Sequence, residues 1–338
     1  KAEEVFERSR LGSHAGETLA EGRGAVTTNG MVCTDGRRCD KRRAMAGDPR
    51  FPDRRDDRIR VGGYSFHVTD WGGASSEDCI FFAHPTGFLG AVWKPLLTSL
   101  RRAGVTARLV SYDQRGHGQS SKPDDGYDFA TVVADLVALI DSLGLDRPIA
   151  VGQSWGGNVV IELGATDAAA VRGVVAVDGG FIELGSRFNT WESCCQVLTP
   201  PRLIGTPAAR MRQWMCDANS DWPEEGIDGA MANFEVRADG TIAPWLTLER
   251  HLQILRALYD HRPSQRYAHV TVPTLLVPAD TGEVAWTSDK RTAVDAALSA
   301  LPRGRAHWFS PAHHDIHAQQ PAALAAVLID FAREVATT

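Results

Sequence analysis

The sequence predicts an α/β protein with a mostly parallel sheet, helices on both faces, and a single helical insertion. Strand-like and helix-like segments alternate from about residue 58 to Val177. The alternation then stops for about ninety residues and resumes at Thr274. Parallel strands need a crossover connection, usually a helix, so this regular alternation favours a parallel sheet.

The strands are predicted from short runs of apolar residues. Ile59–Val61 and Tyr64–Val68 flank Gly62-Gly63, which indicates a hairpin at the start of the sheet. The runs that follow have the length of buried strands. They are Cys79–Ala83, Ala107–Tyr112, Ile149–Val151, Val174–Val177, Thr274–Val277 and Ala306–Phe309.

The helices are predicted from apolar residues that recur with helical spacing. Thr131–Leu143 is the clearest case, because Val132, Leu136 and Leu139 fall on one face while Asp135 falls on the polar face. The other predicted helices are Trp93–Ala103, Asn158–Leu163 and Ala322–Val335.

This pattern divides the chain into three parts. Residues 1–55 are polar and lack any helical or strand period, so we expect a disordered extension. Residues 56–180 and 270–338 form the α/β core. Residues 181–269 are expected to form a helical cap inserted before the penultimate strand, and they contain four of the nine tryptophans.

Charge and composition exclude several classes of protein. Residues 1–60 carry 14 basic and 11 acidic side chains, whereas the remainder carries 22 and 31 and is therefore strongly acidic. Phosphate contacts need clustered Lys and Arg, so a nucleic-acid partner is not expected. No apolar run is long enough for a membrane span. Six cysteines without a Cys-x-x-Cys pair predict a reduced, cytoplasmic protein. We also expect a monomer or homodimer that acts on a small-molecule substrate.

A candidate nucleophile lies in Gly152-Gln153-Ser154-Trp155-Gly156, directly after a predicted strand and before a predicted helix. A serine on such a sharp turn needs small neighbours, because its backbone is strained and packs closely on adjacent elements. The N-terminal amides of the following helix point toward the place where an oxyanion would form. The motif therefore indicates a nucleophilic Ser154.

A serine nucleophile requires a base, and His314 is the best-placed histidine. It follows the last predicted strand, so its loop can bring an imidazole over the serine turn. His313 and His317 are the rival bases. A metal site built from these three histidines is the other functional interpretation, but the segment offers no evident open coordination geometry.

Two further motifs accompany the serine and histidine segments. His84-Pro85-Thr86-Gly87-Phe88 follows the strand ending at Ala83, and Asp113-x-Arg115-Gly116-His117-Gly118-x-Ser120 follows the next strand. Together with Gly152-x-Ser154-x-Gly156 and His314-x-x-His317-x-x-x-Pro321, they resemble the α/β-hydrolase superfamily over about residues 58–336.

The resemblance implies roles for specific residues and implies no metal or other cofactor. Ser154 matches the family nucleophile and His314 the base. The oxyanion donors would be the backbone N–H groups of Trp155 and Thr86, with Gly87 as a second donor in the same loop. Proline has no N–H, so Pro85 cannot take this role.

The acid departs from the commonest family pattern. Relatives usually place an aspartate at the position that Gly282 occupies here, but some take it from the end of the strand before the cap. We therefore place Asp178 ahead of Asp280, with Glu283 third. If Asp178 is the acid, its carboxylate should lie about 2.6 to 3.2 Å from a ring nitrogen of His314.

The resemblance implies a serine hydrolase acting on a carboxylic ester, lactone or thioester of a small apolar substrate. A substrate pocket is expected between the core and the cap. Its candidate residues are His84, Gly87, Phe88, Trp191 and Trp214. Two alternatives share the fold: a cofactor-free perhydrolase or haloperoxidase, and a non-catalytic ligand receptor.

Overall fold

The computed structural model describes residues 48–73, 75–282 and 284–336. Its strands, in chain order, are β1 (Arg55–Val61), β2 (Tyr64–Asp70), β3 (Ser75–Ala83), β4 (Ala107–Tyr112), β5 (Ile149–Gln153), β6 (Gly173–Val177), β7 (Phe234–Val236), β8 (Ile242–Pro244), β9 (Thr274–Val277) and β10 (Gly304–Ala306). Eight of them form one sheet in the order β1-β2-β4-β3-β5-β6-β9-β10. β2 is antiparallel to both its neighbours, and the other pairings are parallel. The predicted fold class is confirmed.

The α-helices of the described residues connect these strands. They are α1 (Lys94–Arg102), α2 (Phe129–Ser142), α3 (Trp155–Thr166), α4 (Leu184–Arg187), α5 (Trp191–Leu198), α6 (Ala208–Ala218), α7 (Glu224–Met231), α8 (Leu248–Asp260), α9 (Val284–Ala300), α10 (Ile316–Gln319) and α11 (Pro321–Ala336). None of the helices in this part of the chain is both long and apolar enough to cross a membrane.

The sheet buries apolar side chains on both faces, as alternation along its strands requires. In β3, Phe81 packs in one layer with residues of α2 and α3, whereas Ile80 and Phe82 pack in the opposite layer with residues of α1 and α11. Burial of this kind contributes roughly 25 cal/mol per Å² of apolar surface. The sheet is therefore a rigid platform for the loops at its carboxyl edge.

Residues 181–269, which we call the insertion, connect β6 to β9. They contain α4 to α8, as the helical pattern predicts, together with the short antiparallel hairpin β7–β8, which it does not. The hairpin strands are three residues each, too short for a visible alternation. Met211, Met215 and Ile227 form a small apolar cluster of the insertion's own.

Residues 48–54 are structured, contrary to the sequence prediction. They fall within the predicted disordered extension, but Phe51 is buried and meets Trp71 edge to face at 5.0 Å. That part of the prediction is wrong, because one anchoring aromatic in a polar segment gives no periodic signal. The rest of the predicted extension, residues 1–47, lies outside the described residues.

Candidate active site

Ser154 lies on the sharp turn between β5 and α3. Its backbone has φ 55° and ψ −119°, a conformation that a non-glycine residue adopts only when its surroundings enforce it. The Ser154 N–H donates to the carbonyl of Val177 at 3.0 Å, which ties the turn to the end of β6. A Cβ on Gly156 would lie 2.5 Å from the carbonyl oxygen of Ala83, so glycine is required there.

His314 follows β10 and meets Asp178 across the sheet edge. The His314 Nδ1 and Asp178 Oδ2 are 2.7 Å apart, within the predicted range. An ionised carboxylate can only accept, so Nδ1 carries the proton and Nε2 carries a free lone pair. Within the described chain Nε2 has no hydrogen-bond partner, and the side chain is 48% exposed. Gln153, next to Ser154, donates through Nε2 to the carbonyl of His314 at 3.0 Å.

Asp178 directly follows β6 in the chain, but its carboxylate reaches the end of β9. The residue has a positive φ of 39°, and its N–H donates to the carbonyl of Val277 at 2.8 Å. Its Oδ1 accepts the N–H of Ala279 at 2.9 Å. The Lys290 Nζ of α9 lies 2.8 Å from Oδ1 and 3.0 Å from Oδ2. The buried carboxylate therefore has four polar contacts, including the one from His314.

The electrostatics of this pair follow from those contacts. Burial raises the pKa of Asp178, but the hydrogen bond from His314 and the charge of Lys290 outweigh it and hold the pKa below its usual value. Removal from water lowers the pKa of His314, but the hydrogen bond and charge of Asp178 prevail and raise it above its usual value. Asp178 is thus an ionised partner for a more basic imidazole.

The other candidate acids and bases have different surroundings. The Asp280 carboxylate binds the N–H of Gly282 at 2.8 Å, the hydroxyl of Thr287 at 2.7 Å and the guanidinium of Arg291 at 3.1 Å. Glu283 lies outside the described residues. His313 is exposed, whereas His317 is fully buried against Trp93, and burial lowers its pKa to about 4. Of the described residues among these, none forms a hydrogen bond or ion pair with Asp178.

The loop after β3 offers one of the two predicted amide donors. Among the described residues, the backbone N–H of Thr86 makes no hydrogen bond, and Trp155 N–H, at the first position of α3, makes none either. The prediction of Gly87 as a second oxyanion donor is wrong. Its N–H donates to His117 Nε2 at 3.0 Å, so it is not free for an oxyanion. Thr86 is then the donor that this loop has available.

The prediction of His84 as a pocket residue is also wrong, because its side chain lines no open pocket. It is completely buried, its Nδ1 donates to the carbonyl of Pro85 at 2.7 Å, and its Nε2 accepts the N–H of Gln114 at 2.8 Å. Burial lowers its pKa to about 4, so the ring is neutral. His84 therefore braces the loop instead of contacting substrate.

The remaining predicted pocket residues are distributed between core and insertion. Trp191 meets Tyr259 edge to face at 5.6 Å. Trp214 lies under the guanidinium of Arg210 at 4.6 Å. Phe88 is partly buried against the core. Their place in a substrate pocket stays a prediction.

Two residues near the site were not predicted. Lys290 is one of several charged residues on a helix without a clear apolar period, so nothing in the sequence marks it. His251 of α8 lies over the loop, since a Cβ on Gly87 would be 4.0 Å from His251 Nδ1, and burial lowers the pKa of this histidine to about 4. Only the packing of the insertion on the core brings His251 there.

Comparison with known proteins agrees with this architecture. A model of the alpha/beta hydrolase family matches residues 80–327. The chain belongs to this family. The family match runs from β3 into α11 and so includes the Ser154 turn, the insertion and the His314 loop.

Individual relatives of this hydrolase differ in their reactions. It is 28% identical over 249 residues to a Variovorax paradoxus (strain S110) protein provisionally named carbamate hydrolase RutD, covering 69% of this chain and 86% of that one. It is 32% identical over 98 residues to a bifunctional esterase/perhydrolase of Acinetobacter calcoaceticus, covering 29% and 34%. The solved structure of E-2-(acetamidomethylene)succinate hydrolase matches with a TM-score of 0.64 at 22% identity, covering 82% and 98%. That last likeness shows the fold alone.

Proposed function

We propose that the protein is a serine hydrolase that cleaves a carboxylic ester, lactone or thioester of a small apolar molecule through an acyl-enzyme. The observation that carries the proposal is the His314–Asp178 hydrogen bond of 2.7 Å, which leaves His314 Nε2 with a free lone pair. It is supported by Gln153, the residue before Ser154, which donates to the backbone carbonyl of His314 at 3.0 Å. A serine with such a base and such an orienting acid is the arrangement needed for nucleophilic attack on a carbonyl.

In the proposed reaction, the Ser154 Oγ attacks the substrate carbonyl while His314 Nε2 takes its proton. The carbonyl oxygen becomes an oxyanion that accepts the N–H groups of Thr86 and Trp155. Asp178 stabilises the imidazolium, which then protonates the leaving alcohol or thiol. Water, activated by His314, attacks the acyl-enzyme, releases the carboxylic acid and restores the Ser154 hydroxyl.

A perhydrolase activity is the second candidate. It is favoured by the esterase/perhydrolase among the relatives, although that match covers about a third of either chain. The same serine, base and oxyanion donors would serve, with hydrogen peroxide in place of water as the nucleophile that attacks the acyl-enzyme. The product would be a peracid, so peroxide-dependent halide oxidation measured with acetate present distinguishes the two activities.

The proposal is tested with a fluorophosphonate probe and p-nitrophenyl acetate. Ser154→Ala should abolish labelling and lower hydrolysis by several orders of magnitude. Ser299→Ala makes the same change on an exposed surface of α9 and should leave both unchanged. Labelling that persists in Ser154→Ala, or a wild-type protein that neither reacts with the probe nor hydrolyses any ester or lactone tested, would overturn the proposal.

A further inference from the structure

Lys290 forms a buried ion pair with Asp178. Its ammonium group lies within 3.0 Å of both carboxylate oxygens of Asp178 and 2.7 Å from the carbonyl of Ala279. Both charged side chains are shielded from water, at 13% exposure for Lys290 and 4% for Asp178. An ion pair so removed from solvent is screened far less than a surface pair.

The position of Lys290 explains how an acid from β6 can act at the end of β9. Asp178 leaves β6 with a positive φ of 39°, which costs a non-glycine residue some strain. Its carboxylate is then held by two groups that follow β9: the N–H of Ala279 and the ammonium of Lys290 on α9. Lys290 thus fastens the carboxylate to a strand to which it does not belong.

The charge of Lys290 also acts on the base. His314 faces three charged groups in the described structure: Asp178 from β6, Lys290 from α9, and Asp315 of its own loop. Nearby His317 is buried, and its lowered pKa keeps it neutral. Arg291, the next residue on α9, is paired with Asp280. Lys290 is therefore the cation that opposes protonation of His314.

We propose that Lys290 is a positioning residue that anchors Asp178 and offsets part of its negative charge, so that His314 stays an unprotonated base at lower pH than an Asp–His pair alone would allow. This inference rests on the proposed function. Before the reaction, Asp178 and Lys290 together are neutral; when His314 takes the serine proton, the three residues carry one positive charge. That charge faces the developing oxyanion, while Lys290 itself touches no reacting atom.

The experiment measures the rate of Ser154 labelling by the fluorophosphonate probe as a function of pH. Lys290→Met removes the charge, Lys290→Gln keeps a hydrogen-bond donor without the charge, and Lys290→Arg keeps the charge. The midpoint of the acid limb should rise by about one pH unit in the Met and Gln variants, because removing a like charge beside the imidazolium makes protonation of His314 easier and raises its pKa by that order. The Arg variant should keep the wild-type midpoint.

The outcomes distinguish the proposed positioning role of Lys290 from a purely structural role in the fold. Unchanged midpoints in folded Met and Gln variants would overturn it, as would failure of both to fold while Lys290→Arg folds, since Lys290 would then serve the fold alone. A failure of the proposed function gives a different result. In that case the probe would not label the wild-type protein, or it would still label the Ser154→Ala variant. Melting temperatures of all variants establish which are folded.

Discussion

The turn that carries Ser154 and the loop that carries Asp178 lie side by side but are built in different ways. The serine turn is fixed by backbone: glycines that pack on neighbouring carbonyls and an N–H bonded to Val177. The Asp178 carboxylate is held from three separate parts of the chain, by the His314 ring, the Lys290 ammonium and the backbone N–H of Ala279. The glycines that permit the first arrangement lie within five residues of sequence, whereas the partners of Asp178 come from distant parts of the chain.

The largest expected effect comes from substitution of Asp178, the proposed acid. Asp178→Asn keeps the size of the side chain but favours the wrong imidazole tautomer, because an amide can donate to His314 Nδ1. We expect hydrolysis of p-nitrophenyl acetate to fall by up to about 10⁴. Circular dichroism should confirm an intact fold. A folded variant that loses less than about tenfold would show that another group orients His314.

The serine turn should be broken by a single added methyl group. In Gly156→Ala the new Cβ would lie 2.5 Å from the carbonyl of Ala83 and 2.8 Å from that of His84. Backbone must move to accommodate it, at a cost of roughly 1–3 kcal/mol in the free energy of unfolding. Thermal unfolding and labelling rate should both decrease. Gly240→Ala, in an open turn of the insertion, should leave labelling intact; equal labelling in the two variants would contradict the packing argument.

The pH dependence of activity tests how strongly Asp178 acts on His314. The hydrogen bond and charge of Asp178 raise the pKa of His314 against the effect of removal from water. A base must be unprotonated to act, so the rate rises with pH through this pKa. The residual activity of Asp178→Asn should therefore have its acid limb at lower pH than wild type, by about one unit. A midpoint that moves upward, or stays in place, would show that the raised pKa has another origin.

The smallest effect is expected at Asp280. Its carboxylate is bound by Gly282, Thr287 and Arg291, all in its own loop or on α9. Asp280→Asn should lower the melting temperature slightly and change hydrolysis by less than about fivefold, since no contact joins it to His314. Its acid-limb midpoint should equal that of wild type. A loss comparable to that of Asp178→Asn would place the acid at Asp280 instead.

The parts of the molecule that could be predicted are those encoded locally. Thr274–Val277 and Ala107–Tyr112 match β9 and β4 residue for residue, because a buried strand is a short apolar run. The preference for Asp178 over Asp280 rests on the family resemblance, since Gly282 occupies the usual acid position, and the predicted contact of Asp178 with His314 is present.

What could not be predicted depends on distant contacts or on weak periodicity. The helix α9 mixes small, charged and apolar residues, so its apolar face is indistinct and Lys290 gives no signal. The predicted strand Ala306–Phe309 is wrong in its bounds, since β10 is Gly304–Ala306 and Phe309 pairs only through an isolated bridge with Ala279. His84 and the Gly87 N–H are committed to partners, Gln114 and His117, that lie about thirty positions away.

Two buried histidines, His84 in the loop after β3 and His117 in the loop after β4, have a consequence for acid tolerance. His84 and His117 each act as a neutral acceptor, for Gln114 N–H and Gly87 N–H respectively, and burial lowers both pKa values, that of His84 to about 4. Protonation would convert each acceptor nitrogen into a donor facing an N–H group, which repels it. The loop that presents Thr86 is thus insulated from pH over the range where His314 titrates. For the proposed base His314, mild acid is expected to protonate the ring while His84 and His117 stay neutral, and only stronger acid should protonate these two and disturb the loops that they brace.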